Sequence, residues 1–144
     1  MKILFVCTGN TCRSAMAEGI MKYELEKKGF DADVFSRGIY ASKDSPASDH
    51  AIAVLRDRYK VDISEHNSAR LTFDDIENCD IIFAMTENHK NIIHTTLEDD
   101  RILEKIKIFS ENDILDPYMG SKKDYERCSK EIYTGVKQII KEYL

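Results

Sequence analysis

The chain has no apolar run near the roughly 18 residues of a membrane span. Met1–Val6 is too short an apolar stretch for a signal peptide, and no targeting motif marks the C-terminus. The cytoplasm is therefore the expected compartment. Only two prolines occur, Pro46 and Pro117, and there is no repeat, low-complexity tract or linker. One domain over residues 1–144 is expected. There is no basic excess either: 21 Lys and Arg face 26 Asp and Glu, giving a net charge of −5. A general nucleic-acid binder needs a basic face to displace counterions, so that class is disfavoured. A small, locally positive pocket remains possible. Cysteine is sparse, at Cys7, Cys12, Cys79 and Cys128. Without a secretory signal these are expected as reduced thiols rather than a disulfide framework.

What is present suffices for a folded domain. Hydrophobic residues make up 42% of the chain, and the 33% that are charged are mixed in sign. Ile3-Leu4-Phe5-Val6 is continuously apolar, which predicts a strand buried on both faces. A polar loop from Thr8 to Arg13 follows, with Ser14 as the expected helix N-cap. Ala17, Ile20, Met21 and Leu25 recur at helical spacing, and Gly29 ends that helix. Val34-Phe35 predicts a second strand. Ser45-Pro46 reads as an N-cap with proline at the first helical position, before a face of Ala47, His50, Ala51, Val54 and Leu55. Thr72 and Asp75 suggest a capping box. Ile81–Met85 and Ile106–Phe109 predict two more strands, with Thr86 capping the helix between them. Tyr125, Ile132, Val136, Ile139, Ile140 and Tyr143 line a long final helix. Alternating strands and helices imply an α/β domain whose parallel sheet places sites at the carboxyl ends of its strands.

Cys7-Thr8-Gly9-Asn10-Thr11-Cys12-Arg13-Ser14 joins the first strand to the first helix. Such a turn aims backbone N–H groups and the positive end of a helix at one point, and so can hold an anion. Gly9 supplies conformational freedom, and Asn10 tolerates the left-handed region. The helix end, the N–H groups and Arg13 all favour a thiolate at Cys7. Arg13 can grip two oxygens of a phosphate with its planar fork. Ser14 can donate its hydroxyl to the sulfur. A cysteine alone reads as buried core; nucleophile, five spacers, arginine and hydroxyl together read as chemistry. The loop has no Gly-Lys pair, so it is not a Walker motif, and one glycine is too few for a dinucleotide fingerprint.

A second element lies in Asp113-Ile114-Leu115-Asp116-Pro117-Tyr118. Departure of an oxygen or nitrogen leaving group from phosphorus needs a proton, which a carboxylic acid on a covering loop can deliver. Pro117 would stiffen that loop around Asp116, and Tyr118 could wall the pocket.

These two elements, in this order, resemble the low-molecular-weight protein tyrosine phosphatase family over essentially the whole chain. Ser64-Glu65-His66 and Ala84-Met85-Thr86 also look like that family. The resemblance implies a four-stranded parallel sheet of order 2-1-3-4 with helices on both faces. It implies Cys7 as nucleophile, Arg13 as phosphate clamp and Asp116 as acid and then base. Thr8, Gly9, Asn10, Thr11, Cys12, Arg13, Ser14 and Tyr118 would surround the phosphorylated group. Asn10 would hold the loop's shape, with His66 either its hydrogen-bond partner or simply an exposed polar residue. No cofactor or metal is implied, and phosphorylated proteins are the expected substrates of a chain taken, by default, as a monomer.

Thr11 resembles a phosphoarginine-specific branch, since tyrosine phosphatases usually carry Ile or Leu there. A small residue with a hydroxyl suits a polar, planar guanidine; an aliphatic one suits a ring. Two departures stand against that branch. Tyr118-Met119-Gly120 replaces Phe-Gly-Gly, and Ala15 replaces a proline. Phosphotyrosine is the alternative substrate. Arsenate reduction would need closely spaced cysteines after the third strand, and Cys79 precedes Ile81 without a near partner. A non-catalytic phosphoprotein-binding module would need neither nucleophile nor acid. On oxidation Cys12 could bond to Cys7 and protect it, or could simply be a small buried residue. Cys79, expected at a strand edge, and Cys128, expected on a helix, read as structural.

Overall fold

The computed structural model describes residues 1–97 and 99–144. In chain order the elements are β1 (Lys2–Cys7), α1 (Arg13–Lys28), β2 (Asp33–Gly38), α2 (Asp49–Tyr59) and α3 (Phe73–Asn78). They continue with β3 (Ile81–Ala84), α4 (Glu87–Thr96), α5 (Asp100–Leu103), β4 (Ile106–Ile108) and α6 (Lys122–Tyr143). The four strands form one sheet in the order β2-β1-β3-β4. Every pairing is parallel, with Cys7 beside Gly38 and Val6 beside Ala84.

The continuous apolar run of β1 is explained by this central place. Ile3, Phe5 and Cys7 point into one core layer, which α1, α2 and α6 cover with Met16, Ile20, Leu55 and Ile132. Leu4 and Val6 point into the other, with Ile76 of α3, Ile93 of α4 and Ile102 of α5. Alternation along the strand thus feeds both faces. Phe5 is wholly buried between the rings of Phe83 and Phe109. Burial of such a side chain contributes roughly 1.5–3 kcal/mol.

The helix ends follow local chemistry where no tertiary contact competes. Gly29 caps α1 in the left-handed region, at φ 72°, and its N–H reaches the carbonyls of Glu26 and Leu25. Thr72 and Asp75 form the expected capping box of α3, and Thr86 accepts from His89 N at the start of α4. Ser121 and Asp124 form a second capping box on α6.

Several boundaries differ from expectation; the third strand, for one, ends at Ala84, with Met85 just beyond it. The first helix starts at Arg13, with Cys12 at its N-cap position, because the Ser14 hydroxyl is engaged inside the loop. The second starts at Asp49 rather than Pro46. Ser45 exchanges hydrogen bonds with Ser68, and Ser48 N donates to Thr11 O at 3.0 Å, so the stretch runs extended along the loop. Ala47 is buried ahead of that helix, and His50 is exposed, its ring 5.3 Å from that of Tyr125. Cys79 ends α3 instead of edging a strand. Phe109 lies beyond β4, packed on Gly135 of the last helix.

Candidate active site

The loop between β1 and α1 is shaped by a buried hydrogen-bond chain. Asn10 sits at φ 60°, fully buried. Its Nδ2 donates to Ser14 Oγ at 2.8 Å and to Ser36 Oγ at 2.9 Å. Its Oδ1 accepts from Ala69 N at 3.0 Å, and His66 Nε2 lies 2.7 Å from its carbonyl oxygen. His66 therefore supports the loop through the backbone of Asn10, while the Asn10 side chain works elsewhere. Ser36 in turn donates to Glu18 Oε1 at 2.6 Å. The directions run inward from that bond: Ser36 gives its one proton to Glu18, so its oxygen is left to accept from Asn10. Ser14 Oγ accepts from Asn10, so its own proton is free for Cys7 Sγ, 2.9 Å away.

Gly38, beside Cys7 in the sheet, makes room for this loop. A Cβ there would stand 2.6 Å from Thr8 O and 2.9 Å from Asn10 N. The backbone approach leaves space for glycine alone.

Arg13 is buried, 4% exposed, under the same loop. Nη1 donates to Ile114 O at 2.9 Å, and Nη2 donates to Thr8 Oγ1 at 3.3 Å. Its Nε is buried with no hydrogen-bond partner among the described residues. A buried charged donor without an acceptor is costly, so the arrangement suits an anion that accepts from it. Asp116 Oδ2 lies 3.5 Å from Arg13 Nη2, with its side chain 47% exposed at the mouth. Asp116 Oδ1 accepts from Tyr118 N at 3.0 Å, and Gly120 N donates to Pro117 O at 2.8 Å, so a tight turn aims the carboxylate.

A cavity of about 530 Å³ opens over the loop. Every residue expected from Cys7 to Arg13 lines it, and Asp116 and Tyr118 join them from the far end of the chain. Ser14 lies beneath Cys7, and His66 braces the loop from outside the cavity. Residues not anticipated also contribute. Ser36 and Glu18 orient Asn10, Tyr40 adds an exposed wall, and His89 lies 2.8 Å from Thr8 Oγ1. The Thr86 cap marked the turn that carries His89, but no sequence signal tied it to Thr8, 81 residues earlier.

The remaining cysteines differ in setting. Burial pushes the Cys79 thiol up to about 11 and the Cys128 thiol up to about 12. Cys79 Sγ donates to Ile76 O at 3.3 Å, on the far side of the sheet. Cys12 lines the cavity, its sulfur 3.3 Å from Tyr125 Oη and 3.5 Å from Ser48 Oγ. Burial raises the pKa of Tyr125, and its bond to Cys12 adds to that.

The sheet, the anion-shaped loop at its carboxyl edge and the thiol at the base of that loop define a phosphatase of the α/β class. A family model described as low molecular weight phosphotyrosine protein phosphatase matches residues 2–143, and the chain belongs to that family. It is 36% identical over 146 residues to a protein-arginine-phosphatase of Bacillus subtilis, covering 99% of this chain and 96% of the relative. A low molecular weight protein tyrosine phosphatase from T. tengcongensis superposes with a TM-score of 0.93 at 34% identity, covering 99% of both chains. A YwlE arginine phosphatase, solved as a cysteine-to-serine mutant with its active-site serine phosphorylated, superposes at 0.90. It is 35% identical and covers 99% of this chain and 98% of its own.

Proposed function

We propose that residues 1–144 form one cysteine-dependent protein phosphatase domain that hydrolyses phosphoarginine in preference to phosphotyrosine. The observation that carries this reading is the meeting at one cavity of Cys7 and Arg13, from the loop after β1, with Asp116, from a loop about a hundred residues later. In the first step the Cys7 thiolate attacks phosphorus in line with the leaving group. Arg13 and the N–H groups of the loop hold the charge on the three phosphoryl oxygens. The bond from phosphorus to nitrogen breaks as Asp116 gives its proton to the departing guanidine. A cysteinyl-phosphate remains. In the second step the Asp116 carboxylate takes a proton from water, whose oxygen attacks phosphorus. The S–P bond breaks, orthophosphate leaves, and the Ser14 proton steadies the returning thiolate. The phosphorylated serine in the solved relative supports a covalent intermediate at this position.

Thr11 at the cavity and the 36% identity to a protein-arginine-phosphatase favour phosphoarginine. Tyr118, 64% exposed on the cavity wall, favours a phosphotyrosine ring and sustains the second reading. The buried, unpaired thiols fit a reducing compartment, and we read the chain as a cytoplasmic monomer acting on phosphorylated proteins.

The deciding measurement compares kcat/KM on a phosphoarginine peptide and a phosphotyrosine peptide with the native chain. A preference for phosphoarginine supports Thr11 as the selecting residue; a preference for phosphotyrosine means that Tyr118 outweighs it. Cys7→Ser should lower turnover about a thousand-fold or more on either peptide. Full turnover by that variant would overturn the mechanism.

A further inference from the structure

Helix α4 presents a histidine to the back of the anion loop. His89 N donates to Thr86 Oγ1 at 3.1 Å, so the residue is fixed in the first turn. The ring is buried, 5% exposed, with Nε2 2.8 Å from Thr8 Oγ1. Arg13 Nη2 donates to that same hydroxyl oxygen at 3.3 Å. Nδ1 is buried and meets no partner among the described residues. The ring is neutral at ordinary pH. Burial lowers its pKa to about 4, the charge of Arg13 acts in the same direction, and Asp116 and Asp113 oppose them.

A neutral imidazole carries one N–H. On Nδ1 it would be a buried donor with nothing to bond, which is the rarer kind of buried defect. On Nε2 it is satisfied by Thr8. The Thr8 hydroxyl has two acceptor positions and one proton. With His89 and Arg13 filling the acceptor positions, the proton is left for a third partner, and Thr8 lines the cavity.

We propose that His89 is a positioning residue for anion capture. Its Nε2–H, together with Arg13 Nη2–H, holds the Thr8 hydroxyl so that its proton is donated into the cavity, onto an oxygen of the bound phosphoryl group. The proposal rests on the phosphatase reading for its substrate, and for its hydrogen bonds on the Thr8, Arg13 and His89 geometry together with the neutrality of the ring. His89 touches no reacting atom; it acts through Thr8. It also ties the outer edge of the Arg13 guanidinium to α4, on the side away from Ile114.

The test has two parts. In the native chain, ¹⁵N–¹H correlation of the His89 ring should place its proton on Nε2; a proton on Nδ1 overturns the proposal. In variants, the inhibition constant of inorganic phosphate and kcat/KM on a phosphorylated peptide are read together. His89→Leu should weaken phosphate and lower kcat/KM by about 10-fold each, equivalent to about 1.4 kcal/mol. His89→Gln, which keeps an amide donor, should recover most of both. In a Thr8→Val background, His89→Leu should change neither, because the path through Thr8 is already gone. An equal loss with and without Thr8 overturns the proposal, as does the absence of rescue by Gln in a chain of unchanged melting temperature. The ring proton and phosphate affinity need no turnover. A native chain that binds phosphate but hydrolyses nothing would therefore defeat the phosphatase reading and leave this inference to be judged on its own numbers.

Discussion

Ser14 Oγ lies 2.9 Å from Cys7 Sγ and accepts a hydrogen bond from Asn10 Nδ2, so the serine proton has the sulfur as its target. A hydrogen bond to a charged group is worth about 1.5–3 kcal/mol, which sets the scale for its removal. Ser14→Ala should lower kcat by about 10- to 100-fold, with a smaller change in KM, because the bond matters most when sulfur carries charge. Steady-state kinetics on the preferred peptide, beside a melting curve, would check it. A KM effect with kcat unchanged would place Ser14 in ground-state binding.

Asp116 stands 3.5 Å from Arg13 at the cavity mouth, aimed by the N–H of Tyr118. If it is the proton donor, Asp116→Asn should cost about 10²–10⁴-fold in kcat on a phosphoarginine peptide. The loss in phosphoryl transfer to sulfur should shrink with an aryl phosphate whose phenolate leaves without a proton. Pre-steady-state release of the aryl group isolates that step from the later hydrolysis. Equal losses for both substrates would mean that the carboxylate serves Arg13 rather than the leaving group.

Gly38 meets the loop backbone at both Thr8 and Asn10. A methyl group there must displace backbone, which does not swing aside as a side chain can. Gly38→Ala should destabilise the chain by about 1–3 kcal/mol, by the cost of overpacking, and reduce phosphate affinity with it. Thermal unfolding with and without phosphate gives both readings. A variant of native stability and affinity would show that the loop is looser than these distances require.

His89 also sets a pH dependence of stability. Its folded pKa, lowered to about 4, lies below the ordinary histidine value of 6.5. Between those values the unfolded chain binds the proton and the folded chain does not, so stability rises with pH. The penalty is absent above about 6.5, grows as pH falls, and levels off near pH 4 at about 3 kcal/mol. His89→Gln, with nothing to titrate, should flatten that part of the profile. Denaturant melts of both chains at intervals between pH 4 and pH 7 measure the difference; parallel profiles would assign the acid sensitivity to other groups.

Much of this protein was readable from local chemistry. A strand buried on both faces must be apolar throughout, so β1 announced itself. A helix that stops in the left-handed region favours glycine, so Gly29 marked its end. Cys7 through Ser14 could be placed because a strand, an anion loop and a helix start are contiguous in sequence, and each imposes its own residue types. Asp116 was singled out by the chemistry that a leaving group demands, and the fold brings it to the cavity mouth beside Arg13. What only the tertiary structure decided is how distant segments fix these groups. Pro46 sits before rather than in its helix because Ser45 and Ser48 bond to other loops. Ser14 leaves its capping role because Asn10 and Cys7 claim its hydroxyl. Glu18, Ser36, Gly38 and His89 carry no motif, since hydrogen bonds and close contacts across the sheet depend on distance in space. Periodicity and spacing record a residue's own element; the partner that directs its proton is set only when the elements pack.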